Sequence, residues 1–160
     1  MRIFFILIAA AFLTSCAVFQ PKEFTSASLN EELLDLEREP VSFQGVLEKN
    51  KGKKILMQIF ATYCPYSRRS FDDVLLFQKK NPELEYVFLS VDHSYHDWKR
   101  GLENIPVKGQ HYYIQKKGEG VLGEFLKLKT IPRFLMIDED RKIMVFKASK
   151  VSEKLQNKAQ

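Results

Sequence analysis

The stretch that decides the fold is Phe60-Ala61-Thr62-Tyr63-Cys64-Pro65-Tyr66-Ser67-Arg68, because two different periodicities meet in it. Upstream, Ile55-Leu56-Met57-Gln58-Ile59-Phe60-Ala61 is a nearly continuous apolar run, the pattern of a strand buried on both faces. Downstream, residues 67–80 place Phe71, Val74, Leu75 and Phe77 at helical spacing, and Asn81-Pro82 stops the run. Cys64 therefore stands where a buried strand passes into a helix. There it faces unpaired backbone N–H groups and the positive end of the helix dipole, and both favour thiolate over thiol. Pro65 suits the first helical position, since proline has no N–H to satisfy. Arg68 and Arg69 run against the usual preference for acids in a first turn. Two readings stand for them: support of a nearby thiolate or an anionic partner, or simple solvation, the latter preferred for Arg69.

Working outward, Glu85-Tyr86-Val87-Phe88-Leu89-Ser90-Val91 is a second buried strand, and residues 95–102 form a short helix carrying Trp98. Tyr112-Tyr113-Ile114 is a short strand or extended connection, and residues 120–126 a helix. After Ile131-Pro132, Phe134-Leu135-Met136-Ile137 is a third strand, turned by Asp138-Glu139-Asp140-Arg141 into an antiparallel partner over residues 142–146. A lysine-rich helix closes the chain within residues 149–160. Before the central strand, residues 29–36 carry apolar residues at helical spacing and predict a short helix that Pro40 ends. Residues 42–48 predict another, with Ser42 as N-cap. Alternating strands and helices followed by a hairpin give an α/β sandwich with both sheet faces covered.

Composition narrows the function classes. The chain has 160 residues, 45% hydrophobic and 28% charged, enough for one domain with its own core and unlike a disordered chain. Lysines are interspersed with glutamates and the formal net charge is only +5, so there is no nucleic-acid footprint. The two cysteines, Cys16 and Cys64, are too few for a disulfide-stapled scaffold or a Cys-only zinc site. Neither a metal nor a cofactor is expected.

At the N-terminus, Met1-Arg2 precedes an unbroken apolar run from Ile3 to Leu13, too short for a spanning helix, which needs roughly 20 residues. Its length and flanks fit an export signal over residues 1–15. The run ends in Leu13-Thr14-Ser15-Cys16, which resembles the lipobox of bacterial lipoproteins, and the resemblance implies lipid attachment at Cys16. An ordinary signal peptide with a chance cysteine, or an uncleaved anchor, is the alternative. Residues 16–28 read as a lipidated tether, and residues 29–160 as the folded domain. Ala17, which is not Asp, leans the expectation towards the outer membrane, with the domain facing the periplasm. Lipidation would leave Cys64 the only thiol of the mature chain.

Four features together resemble the thioredoxin superfamily, and within it the TlpA/ResA-like thiol–disulfide proteins. They are the Phe60-to-Pro65 approach, the Ser90-Val91-Asp92 strand end followed by Trp98-Lys99, the Thr130-Ile131-Pro132 step, and the hairpin turn from Asp138 to Lys142. The resemblance covers residues 42–160 and implies a three-layer sandwich with a central mixed sheet, helices on both faces and a cis-proline loop at Pro132. It implies Cys64 as the nucleophile, with Pro132 beside it in space and the residues around it, Ile131 among them, pairing with an extended substrate. Pro65, Tyr66 and Arg68 would border that substrate.

The departures from the family carry as much weight. Ser67 occupies the position of the second, resolving cysteine, so a mixed disulfide begun at Cys64 must be released by an outside thiol. Ser67 is still expected to hydrogen-bond to the Cys64 thiolate. The Cys-Pro-Tyr-Ser string also resembles monothiol glutaredoxin sites locally. Gln58 stands where cytosolic thioredoxins hold a buried acid; without the second thiol that acid would be redundant, although Gln58 also reads as a satisfied core amide. His93 and His96 read as solvated loop histidines, and His111 has no evident partner. Trp98, Tyr112 and Tyr113 pack or edge the groove. The expected function is a membrane-anchored, monomeric, monothiol exchange protein acting on disulfides or thiols of envelope proteins or small molecules. The competing reading is a degenerate binding module without turnover.

Overall fold

The computed structural model describes residues 20–160, so the expected export signal, Cys16 and the first part of the expected tether lie outside the described residues. In chain order the elements are α1 (Ser26–Leu29), β1 (Glu32–Leu34), β2 (Pro40–Ser42), α2 (Phe43–Lys49), β3 (Ile55–Phe60), α3 (Pro65–Lys80), β4 (Glu85–Ser90), α4 (Tyr95–Leu102), β5 (Gln110–Ile114), a 3-10 turn (Gln115–Gly118), α5 (Val121–Leu126), β6 (Arg133–Ile137), β7 (Ile143–Ala148) and α6 (Glu153–Ala159). The seven strands form one mixed sheet in the order β2-β1-β5-β4-β3-β6-β7. β3 pairs in parallel with β4 and β4 with β5, while β6 runs antiparallel to β3.

Alternation along the central strands builds the three layers. Ile55, Met57 and Ile59 of β3 join Val87, Leu89, Leu135 and Ile137 on one face, covered by Val46 and Leu47 of α2 and Leu122 and Leu126 of α5. Leu56 and Phe60 point the other way, with Tyr86, Phe88, Phe134 and Met136, beneath Phe71, Val74 and Phe77 of α3, Trp98 of α4 and Leu155 of α6. Gln58, by the same alternation, faces α3. Trp98 and Tyr113 stack at 5.9 Å inside this second layer, and Tyr112 is buried in the first, so all three are core residues.

Two expectations need correction. Residues 29–36 are not a helix: β1 pairs antiparallel with β5 through Leu33 to Ile114 and Leu34 to Tyr113. The apolar spacing there is short enough to fit either period, and an open edge on β5 decides for strand. β2 completes that edge, where Pro40 is tolerated because an edge strand need not donate on both sides. The packed chain also starts earlier than Leu29. Phe24 packs on the rings of Phe43 and Phe125 at 4.9 and 5.3 Å, the Ile143 N–H donates to the Lys22 carbonyl, and Ser28 is buried. Ser42 does cap α2, accepting from the Gly45 N–H at 3.0 Å.

His111, on β5, stacks on Phe88 at 4.8 Å, and its Nδ1 has no hydrogen-bond partner among the described residues. Burial pushes it down to about 4, with the Val107 backbone pulling the other way. An unfolded chain binds a proton near pH 6.5 that the folded chain refuses until about pH 4. The stability tied to His111 is therefore complete above pH 6.5 and is lost as pH falls towards 4, by up to about 3 kcal/mol. Urea unfolding at pH 7 and pH 4.5 should show that loss, and His111→Phe should reduce it. An equal loss in the variant would show that other groups carry it.

Candidate functional site

The site starts at the C-terminal end of β3. Ala61 is buried, and a tight turn closes with the Cys64 N–H donating to the Ala61 carbonyl at 3.1 Å. Cys64 is the N-cap of α3 in extended conformation and makes no side-chain cap bond, leaving its sulfur free of that duty. Pro65 follows at N1, and the Arg68 N–H donates to the Cys64 carbonyl at 3.0 Å to begin the helix. The cysteine is half-buried, while Tyr63 and Tyr66 on either side are 54% and 71% exposed.

The step before β6 comes to meet it. The Ile131–Pro132 peptide bond is cis, as the resemblance implies, and Cys64 Sγ lies 4.0 Å from the Ile131 carbonyl. Cys64, Pro65, Tyr66, Ile131 and Pro132, named separately from the sequence, thus share one corner of the molecule. Clefts flank the first turn of α3 on both sides. One, of about 600 Å³, is bordered by Tyr63, Pro65, Arg68, Gly101 and Ile105. The other, of about 370 Å³, runs along Tyr66, Arg69, Ile131, Pro132 and Lys150. Arg68 and Arg69 are both exposed, and neither makes an ion pair among the described residues.

Ser67 departs from expectation. It is fully buried, its Oγ accepts from the Ala61 N–H at 3.5 Å, and no hydrogen bond joins it to Cys64. The helix turns Ser67 inward under the loop, while Cys64 sits outside the helical run at its cap. Gln58 supports this floor only in part. Its Nε2 donates to Ser70 Oγ at 2.9 Å, and Ser70 Oγ donates to the Ser67 carbonyl at 2.6 Å. Gln58 Oε1, buried, has no hydrogen-bond partner among the described residues.

Three features of the site escape sequence reasoning. Asp92, fully buried just beyond β4, accepts from the Thr62 N–H and hydroxyl and from Ser90. His93 is the exposed loop residue expected, and its ring also stacks on Tyr63 at 4.5 Å, nearly parallel. Arg133, directly after Pro132, is buried and donates to the Leu126 and Lys127 carbonyls. An acid flanked by serine at the end of an apolar strand is the available signal for Asp92; its partner 30 residues away is not legible. Among the described residues, no group of three or more His, Cys, Asp or Glu could hold a metal ion.

A family model described as Thioredoxin-like matches residues 52–143, more than half of the chain, and takes in Cys64, Ser67, Asp92, Ile131 and Pro132. The chain belongs to the thioredoxin-like family. No curated protein matches its sequence. Among solved structures, this thioredoxin-like chain is similar to the thioredoxin domain of a thiol-disulfide oxidoreductase from Bacteroides vulgatus, at 21% identity and a TM-score of 0.65 over 85% of this chain and 96% of that one. A thiol:disulfide interchange protein from Bacteroides sp. matches at 22% identity and a TM-score of 0.66 over 88% of each chain. A thiol-disulfide oxidoreductase from Bacteroides fragilis matches at 14% identity and 0.66, over 83% and 96%. At these identities the likeness is one of fold. It places Cys64 and Pro132 on the thioredoxin-like scaffold.

Proposed function

We propose that this thioredoxin-like protein is a monothiol thiol–disulfide exchange protein, anchored in the cell envelope through lipid on Cys16, facing the periplasm and favouring the outer membrane. The observation that supports it is Cys64 at the cap of α3, half-buried and 4.0 Å from the Ile131 carbonyl, with a serine at the resolving position. The Cys64 thiolate attacks one sulfur of a substrate disulfide. A Cys64–substrate S–S bond forms, the substrate S–S bond breaks, and the other substrate sulfur leaves as a thiolate. A second thiolate, from the substrate protein or a small molecule, then attacks the substrate sulfur of the mixed disulfide and releases the Cys64 thiolate. The cycle exchanges disulfides without net oxidation of the protein, which suits isomerisation or reduction of mixed disulfides. Tyr66 and Ile131 border the cleft beside Pro132 that receives the substrate chain, Arg68 borders the neighbouring cleft across the first turn of α3, and a monomer is sufficient for this chemistry.

The experiment is trapping in cells: alkylate, separate without reductant, and compare the wild-type chain with Cys64→Ala. The expected result is a set of higher-mass adducts that reductant dissolves and that Cys64→Ala abolishes. Absence of any such adduct under oxidative stress would favour a degenerate binding module instead. The mass of the mature chain tests the anchor separately, since a mass without the lipid increment at Cys16 would sink it.

A further inference from the structure

We infer that Asp92 is the positioning residue of the Cys64 turn, acting through Thr62; the inference rests on the exchange reading above. Its carboxylate is fully buried beyond the end of β4, and no cation pairs with it among the described residues. A buried carboxylate without a counter-charge is costly unless hydrogen bonds satisfy it, so what it binds is informative. The Thr62 N–H lies 3.1 and 3.0 Å from its two oxygens, and the Thr62 hydroxyl donates to Oδ1 at 2.6 Å. The Ser90 hydroxyl donates to Oδ2 at 2.6 Å, and the Asp92 N–H returns a bond to Ser90 Oγ. Three donors from two segments of the chain thus converge on one side chain. Two of them belong to the second residue of the turn that ends at Cys64.

Three independent contacts point the same way. The Val91 N–H donates to the Phe60 carbonyl at 2.8 Å, carrying the β3–β4 pairing one step past the strand ends. His93 lies flat on Tyr63 at 4.5 Å. Gly101 of α4 presses on Thr62 from the other side, where a Cβ on residue 101 would stand 2.3 Å from the Thr62 side chain. Residues 60–63 are therefore matched step by step with residues 91–93, and Asp92 supplies the polar grip in the middle. A loop that only had to connect β3 to α3 would need none of this. A turn that must hold a sulfur 4.0 Å from the Ile131 carbonyl does need it, because displacement of a reacting atom by about 1 Å costs on the order of a hundredfold in rate.

The test uses the full chain with 4,4′-dithiodipyridine as a small probe and a disulfide-bridged peptide as a large one. In either reaction Cys64 Sγ forms a bond to one probe sulfur, the probe S–S bond breaks, and the other sulfur leaves as thiolate or thiopyridone. Asp92→Asn and Thr62→Val should each slow the peptide reaction by about tenfold or more, and slow the small probe less, because an oriented approach needs the turn held. Thr62→Ser keeps both donors and should restore the wild-type rate, which a general loss of packing would not do. Should Asp92→Asn fail to fold, the Thr62→Val and Thr62→Ser pair carries the comparison. Wild-type peptide rates in folded Asp92→Asn and Thr62→Val would overturn the assignment, as would Thr62→Ser being as slow as Thr62→Val. A wild-type chain no faster than free cysteine with both probes would instead overturn the exchange reading. In that case, amide exchange at Thr62 and Cys64 still decides whether Asp92 holds the turn: unchanged protection in Asp92→Asn would exclude it.

Discussion

Ser67→Cys is expected to release a trapped Cys64 mixed disulfide with no thiol added, at least about a hundredfold faster than the wild-type chain does alone, since an intramolecular thiol replaces a bimolecular encounter. The position is prepared for it. Ser67 is fully buried on the inner side of the first turn of α3, under the loop that carries Cys64, and its Oγ only accepts a long 3.5 Å bond from Ala61. A thiol there is close in size to the hydroxyl and displaces no strong hydrogen bond. The sulfur introduced at position 67 attacks Cys64 Sγ, an internal disulfide forms, and the substrate leaves as a thiolate. Non-reducing mass spectrometry follows both products. Persistence of the adduct in Ser67→Cys would mean that residue 67 cannot reach the Cys64 sulfur and that the site is not a dithiol site with one member exchanged.

Arg133→Ala should cost the fold about 3 kcal/mol, the range for removing one partner from a buried hydrogen-bonded charge. Arg133 is 2% exposed and has no carboxylate beside it among the described residues. Its Nη1 donates to the Leu126 carbonyl at 2.7 Å and its Nη2 to the Lys127 carbonyl at 3.1 Å. These are carbonyls at the C-terminal end of α5, which the helix itself leaves unpaired and where the dipole favours a cation. Burial also lowers the guanidinium below its ordinary range, the direction expected for a charge held by carbonyls alone. Arg133→Lys keeps the charge but lacks the rigid fork that spans the two carbonyls, and should recover roughly half of the loss. Urea unfolding at neutral pH measures both. A loss under about 1 kcal/mol in Arg133→Ala would show that water replaces the guanidinium without penalty.

Legibility in the sequence follows the range of the interaction. β3, α3, β4, α4 and the hairpin of β6 and β7 are readable because their signals are local. The central strands show as short, continuous apolar runs bounded by turn residues, and α3 shows its helical spacing over a long enough stretch. Cys64, Pro65 and Ser67 are readable because a strand-to-helix junction assigns them their places along the chain. β1 is misread because three residues cannot distinguish the two periods, and only the free edge of β5 makes them a strand. The start of the packed chain is misread because Phe24 has no local pattern and is held by Phe43 and Phe125.

By itself, then, the sequence determined the layered α/β sandwich, the cysteine at the head of a helix and the serine three residues after it. All three follow from residues near one another along the chain. Tertiary structure alone decided what holds that cysteine in place: Asp92 on Thr62, His93 on Tyr63, the Ile131 carbonyl near Sγ, and Arg133 under α5. Most of these pairings join residues far apart along the chain. A side chain's hydrogen-bond partner is chosen by which strands lie side by side, and no local pattern records that choice.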